Sequence, residues 1–187
     1  MHPLRHPSRH PFHRGLLTAV AAVLASAGPL PTLAQTQAQA PAASAQRASN
    51  TLRGKALDGR NFDLAAQRGR VVMVVLWRTD CGVCLSKMPE LRANALGWKG
   101  KPFDLVTLSL DPQRTDTDSY DRTRRLVASA EGPVWSFWQG DVQWTAAWSA
   151  GARLPVTLVF DSDGVLKERH EGRVPADVWD SVADLLP

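Results

Sequence analysis

The only two cysteines of this chain, Cys81 and Cys84, stand in Trp77-Arg78-Thr79-Asp80-Cys81-Gly82-Val83-Cys84, directly after the unbroken apolar run Val71 to Leu76. A β-branched run without polar alternation reads as a strand buried on both faces of a parallel or mixed sheet. The cysteines then fall where such a strand gives way to a helix, the position of a redox-active dithiol. A helix starting there directs unpaired backbone N–H groups and the positive end of its dipole at the first sulfur. That environment favours the thiolate, the form that attacks disulfides.

Two other readings of the pair stand beside this one. A structural disulfide closing so small a ring removes little entropy from the unfolded chain and tends to strain the bond. A zinc site needs about four ligands, and outside the N-terminal segment the chain adds only His170 to the two cysteines.

Residues 1–14 are basic and free of acids, with Arg5, Arg9 and Arg14, and the apolar stretch Leu16 to Ala27 follows before Gly28-Pro29. This is the layout of a secretory signal peptide, and the stretch is too short for a standard membrane span. Small-x-small sites occur at Ala25-Ser26-Ala27 and Thr32-Leu33-Ala34, and cleavage after Ala34 is the preferred reading, giving a signal peptide over 1–34. No cysteine follows the apolar run to take a lipid, so the mature protein is expected to be periplasmic or otherwise exported, with no stable membrane span after cleavage. Retention of the leader as an anchor is the alternative.

Residues 35–50 are mostly Ala, Gln, Ser and Thr and read as a disordered linker, leaving 51–187 as one domain. Loss of the leader removes three arginines, taking the formal charge from +4 to near +1. Arg122, Arg124 and Arg125 interleave with Asp116, Asp118 and Asp121, as on a solvated helix face, so basicity does not argue for nucleic acid.

Along the domain, Leu52 to Leu57 and Phe62 to Leu64 read as a short hairpin around Asp58-Gly59. The strand Val71 to Trp77 is followed by a helix from Gly82 to about Leu96, which Pro89 should kink. Phe103 to Leu110 reads as a second buried strand, Asp116 to Ala130 as a helix, Val134 to Trp138 as an extended segment, and Val142 to Ala150 as a short helix. Val156 to Phe160 and Val165 to His170 form a hairpin around Asp163-Gly164, and Pro175 opens a final helix to Leu186. Strands alternating with helices and one late hairpin indicate an α/β sheet with helices on both faces.

The strand ending in Trp77, Cys81-Gly82-Val83-Cys84, Met88-Pro89-Glu90-Leu91, Leu154-Pro155-Val156-Thr157-Leu158-Val159-Phe160-Asp161, Asp163-Gly164 and the glycine of His170-Glu171-Gly172 occur in one order. In that order they resemble the thioredoxin-like superfamily, and within it the exported TlpA-like thiol-disulfide oxidoreductases. The resemblance implies a thioredoxin-like fold, a central mixed β-sheet flanked by helices, with an extra N-terminal hairpin and a central helix-strand insertion between about Asp111 and Gly151. It implies that Cys81 attacks a partner disulfide and Cys84 resolves the mixed disulfide. It makes Pro155 the cis-proline beside the dithiol, with the Leu154 backbone turned toward the cysteines to pair with an extended partner chain. Partners would be disulfide-containing exported proteins, such as apocytochrome c or proteins with metal-site cysteines, and an upstream dithiol reductant. No cofactor beyond the Cys81-Cys84 disulfide and no metal is called for.

The sequence departs from the family around the sulfurs. Asp80 stands where a tryptophan is common, and it is either the helix N-cap or a charge that disfavours the Cys81 thiolate. Val83 replaces a proline, thioredoxin's buried acid on the central strand would fall at Val75, and the TlpA-like acid on the helix would fall at Lys87. Lys87, one turn beyond Cys84, would favour a thiolate if turned inward. Trp77 is the tryptophan best placed to contact a partner and report oxidation state, whereas Trp135, Trp138, Trp144 and Trp148 read mainly as core. A copper-delivery or chaperone-like binding module is the alternative function, because soft thiolates suit Cu(I). A thiol peroxidase lacks a Thr-x-x-Cys setting here.

Overall fold

The computed structural model describes residues 45, 49–127 and 134–187. The expected leader over 1–34 and nearly all of the linker over 35–50 lie outside the described residues, as does the expected end of the second helix at Ala130.

The unbroken apolar run forms β3 (Val71–Trp77) and the second expected strand forms β4 (Phe103–Ser109), and every residue of both is buried, Asp104, Thr107 and Ser109 of β4 included. They pair in parallel from Val71↔Phe103 to Trp77↔Ser109. On the far side of β4 lies β5 (Val134–Trp138), also parallel. On the far side of β3 lie β7 (Val156–Phe160) and then β8 (Leu166–Glu171), each antiparallel to its neighbour, so the sheet order is β5-β4-β3-β7-β8. The expected Asp163-Gly164 turn closes the last hairpin. Asp161 Oδ1 accepts the N–H groups of Asp163 and Val165 at 3.0 and 2.8 Å, and Gly164 takes the positive φ of 70° that suits glycine.

The period-two alternation of a strand then builds two cores. Val71, Met73, Val75 and Trp77 face Cys84, Met88, Leu91 and Ala95 of α1 (Gly82–Gly97), together with Tyr120 of α2 (Arg114–Val127) and Val178 and Val182 of α3 (Val178–Leu185). Val72, Val74 and Leu76 face Leu52, Phe62, Leu64 and Trp148. The helices therefore gather on one face instead of both. The strand order β5-β4-β3 steps across the sheet in one direction, and parallel crossovers that keep the usual right hand then leave α1 and α2 on the same side, where Tyr120 joins the core of α1.

The second face is covered by a small antiparallel sheet of β1 (Leu52–Lys55), β2 (Asn61–Asp63) and β6 (Val142–Trp144), ordered β2-β1-β6. Its β1-β2 part is the expected N-terminal hairpin. The helix expected over Val142–Ala150 does not form: Val142–Trp144 pairs with β1, and only a 3-10 turn at Ala146–Trp148 follows. Val142 and Trp144 are apolar at period two, and the free edge of β1 offers them a ladder. Gly54 permits that approach, since a Cβ there would lie 2.7 Å from the Asp141 carbonyl oxygen. The central insertion thus adds α2 and β5 to the main sheet and β6 to the small one. Among the described residues no helix is long and apolar enough to cross a membrane.

The clustered tryptophans are mainly structural. Trp148 is buried and donates Nε1–H to Asn50 at 3.0 Å, and Trp135 donates to Asp104 at 3.1 Å with Arg60 over its ring. Phe62 joins the two sheets, buried at 5.0 and 5.6 Å between ring centroids from Trp135 and Phe137. Phe62→Ala is expected to lower stability by about 3–4 kcal/mol, read as a shift in urea midpoint at constant slope. A loss below about 1 kcal/mol would show that Phe62 does not anchor the small sheet.

Candidate active site

Because β3 is hydrogen-bonded on both sides, its C-terminal end at Trp77 is fixed, and the next residues turn at once: Cys81 N–H donates to the Arg78 carbonyl at 3.3 Å. Helix α1 begins at Gly82, and Cys81 is its N-cap, with Sγ accepting the Cys84 N–H at 3.2 Å. Cys81 and Cys84 form a disulfide with Cα atoms 5.2 Å apart. The two sulfurs differ in access: Cys81 is half-buried, whereas Cys84 is 1% exposed in the core with Met88 and Leu91. On reduction, the helix amide that now points at Cys81 Sγ would support a negative charge on that sulfur.

Asp80 is not the cap. The turn after β3 starts the helix one residue later than the capping preference of Asp would place it. Asp80 therefore lies outside the helix, 66% exposed, and bonds Arg78 Nη2 at 2.7 Å. Lys87 is drawn to Glu90, Nζ to Oε2 at 2.7 Å, as an i,i+3 pair along α1. Trp77 does not offer a partner-facing surface. It is 3% exposed with its ring centroid 4.6 Å from that of Tyr120, because position 77 falls on the inward face of β3. Its proximity to the cysteines still suits it to report their oxidation state.

On the neighbouring strand the Leu154-Pro155 peptide is cis. The β3-β7 register sets Leu76 against Val156, so Pro155 reaches the same sheet edge as Trp77 and the dithiol turn. The Pro155 carbonyl accepts the Gly172 N–H at 2.8 Å. Leu154 packs against both cores. The Leu154 N–H and C=O form no hydrogen bond among the described residues, leaving them available to an added strand.

One residue that sequence reasoning missed dominates the polar structure here. Asp111, two residues beyond β4 and 1% exposed, receives the Thr79 N–H and hydroxyl on Oδ1 at 2.8 and 2.9 Å. Its Oδ2 receives the hydroxyls of Ser109 and Thr117 at 2.7 and 3.0 Å. Its carbonyl accepts Trp138 Nε1–H at 2.8 Å and Gln139 Nε2–H at 3.1 Å. An acid just past the C-terminal end of a buried parallel strand was the available signal, since α/β sites gather along that edge.

Burial alone would raise the Asp111 pKa, but the hydrogen bonds from the Thr79 N–H and the Ser109, Thr79 and Thr117 hydroxyls outweigh it and hold the carboxyl below its ordinary value. A folded-state pKa below the unfolded one, about 3.9, contributes stability that is full above that pH and is lost as pH falls through the folded value. Asp111→Asn is therefore expected to flatten the loss of stability below about pH 4. Parallel urea-midpoint profiles of variant and parent across that window would show that Asp111 is not held ionised.

The chain matches the model of the Redoxin family over residues 35–185. No curated protein matched it. Among solved structures it resembles a thiol:disulfide interchange protein of the thioredoxin family from Chlorobium tepidum TLS, at 19% identity and a TM-score of 0.57, over 73% of this chain and 93% of that one. It also resembles the pneumococcal exposed lipoprotein thioredoxin Etrx1 from Streptococcus pneumoniae, at 17% identity and a TM-score of 0.56, over 72% and 99% of the two chains. A third is a secreted Mycobacterium tuberculosis disulfide oxidoreductase described as homologous to E. coli DsbE, at 17% identity and a TM-score of 0.54, over 71% and 95%. These likenesses carry a thioredoxin-like fold, and the family match over 35–185 includes the cysteine pair: the chain belongs to the Redoxin family.

Proposed function

We propose that this protein is an exported, TlpA-like thiol-disulfide oxidoreductase that reduces disulfides in other exported proteins. The observation that carries this reading is the asymmetry of the pair: a half-buried Cys81 capping a helix, bonded to a Cys84 that is 1% exposed. The accessible sulfur suits attack, and the buried one is reached only from within the mixed disulfide.

In the reduced protein the Cys81 thiolate attacks one sulfur of the partner disulfide, forming a mixed disulfide and releasing the other partner sulfur as thiolate. Cys84 then loses its proton and attacks Cys81 Sγ, expelling the partner's second sulfur. Two electrons pass to the partner, which leaves as a dithiol, and the Cys81-Cys84 disulfide is restored. An upstream dithiol returns the electrons. The free backbone groups of Leu154 beside cis-Pro155 fit a short β-bridge to the extended chain carrying the target cysteine. Of the tuning residues read from the sequence, Lys87 and Asp80 each carry a counter-charge of their own, so neither presents an unopposed charge to the sulfurs.

Export rests on the leader-like sequence over 1–34, and the secreted and exposed structural relatives support it. The partner class, apocytochrome c or metal-site cysteines, follows from the TlpA-like resemblance.

In an insulin-reduction assay with dithiothreitol as donor, Cys81→Ser is expected to lose all turnover. Cys84→Ser is expected to accumulate mixed disulfides with exported proteins, visible on non-reducing gels. Unchanged turnover in Cys81→Ser overturns the proposal. A reduction potential near about −270 mV identifies a reductant, and one near about −120 mV a disulfide donor.

A further inference from the structure

Among the described residues, the charged groups around the dithiol differ in burial and in partners. Asp80 is held by Arg78 in the turn, and Lys87 by Glu90 on α1. Beyond the cis-proline, the Arg153 N–H is bonded to the Glu171 carboxylate, which Arg169 also holds. From α2, Asp116 lines an open groove with Thr79 and Leu85. Asp111 differs from all of these because it is buried and its carboxylate is bound only by neutral donors: one backbone N–H and the three hydroxyls of Thr79, Ser109 and Thr117. These donors stabilise the anion without cancelling its charge.

This uncancelled charge stands close behind the attacking sulfur. Asp111 Oδ1 is 2.8 Å from the Thr79 N–H nitrogen, and the Arg78 carbonyl that precedes that nitrogen is 3.3 Å from Cys81 N. Chain geometry then puts the carboxylate on the order of 10 Å from Cys81 Sγ. Between them lies the turn Arg78 to Cys81, which is half-buried apart from the exposed Asp80, so the charge reaches the sulfur partly screened.

We infer that Asp111 is a positioning residue for the dithiol: it clamps Thr79 so that Cys81 meets the helix N-terminus, and its fixed negative charge biases the pair toward the disulfide. The second effect opposes the first turn of α1. The helix amides favour a thiolate at Cys81, and the buried carboxylate disfavours it. The balance makes the reduced form a stronger electron donor than the helix N-terminus alone would allow. The inference rests on the reductase reading and deepens it, by assigning part of the direction of electron flow to one residue outside the Cys81-Cys84 motif.

The test compares full-length parent with Asp111→Asn, Thr79→Val and Thr79→Ser. The Cys81 pKa is read from the pH profile of iodoacetamide alkylation, and the potential from equilibrium with glutathione. In Asp111→Asn the Cys81 pKa is expected to fall by about one unit. Above both thiol pKa values the glutathione equilibrium is expected to move about tenfold toward the dithiol, a rise of about 30 mV. Thr79→Val keeps the charge but loses one clamp donor, so its pKa should stay at the parental value while its alkylation rate constant falls about three- to tenfold. Thr79→Ser, which keeps the hydroxyl, should restore the parental rate.

A folded Asp111→Asn with parental pKa and potential overturns the charge effect, and a parental rate in Thr79→Val overturns the clamp. Should Asp111→Asn not fold, the Thr79 pair still decides the clamp. None of these readouts uses a protein partner, so a parent that fails to reduce insulin disproves the reductase reading alone.

Discussion

Everything at this site depends on the burial of β3 on both faces and both edges. A strand with no exposed side must have every backbone group paired within the sheet, since an orphaned N–H or C=O there would be costly. β4 and β7 meet that demand, one parallel and one antiparallel. The consequence is geometric: β3 and β4 end together at Trp77 and Ser109, β5 ends beside them at Trp138, and the antiparallel β7 begins at the same edge. Cys81, Asp111, Gln139 and Pro155, far apart in the chain, are each the residue just beyond one of these strand ends or within a few positions of it. The site is a sheet edge made permanent by the core beneath it.

Local patterns were legible in the sequence, and pairings between distant segments were not. The apolar run of β3, the buried strand β4, the strand-to-helix placement of the cysteines and the Asp163-Gly164 hairpin each depend on neighbouring residues, and the structure has each of them. Val142-Gln143-Trp144 is too short to declare itself. Its strand character comes from β1, about ninety residues away in the chain (the Arg53-Gln143 side-chain bond spans 90) and shaped by Gly54 to receive it. The gathering of the helices on one face likewise follows from strand order, which no periodicity encodes.

The same division runs through the residues of the site. By type, Asp80 is the better cap, yet the end of β3 decides where α1 starts, and Cys81 takes the place. Trp77 stands beside the motif in sequence, but strand alternation turns it into the core against Tyr120. Asp111 carries no motif at all. Its importance arises because Thr79, Ser109 and Thr117, from a turn, a strand end and a helix, converge on it.

The electrostatics of the dithiol separate in the same way. The Arg78-Asp80 pair sits at the surface, where ion pairs contribute little and salt screens them, and the half-buried Lys87 is matched by the exposed Glu90. A charged residue there, such as Lys87, changes the field at the sulfurs only weakly once it finds a counter-charge. A buried carboxylate on neutral donors is different, because its own donors stabilise the charge without cancelling it. Departures from the family at exposed positions around the cysteines can thus be large in sequence and small in effect, while the term that matters is carried by a residue thirty positions from Cys81, at Asp111, fixed by the same strand ends that place the sulfurs.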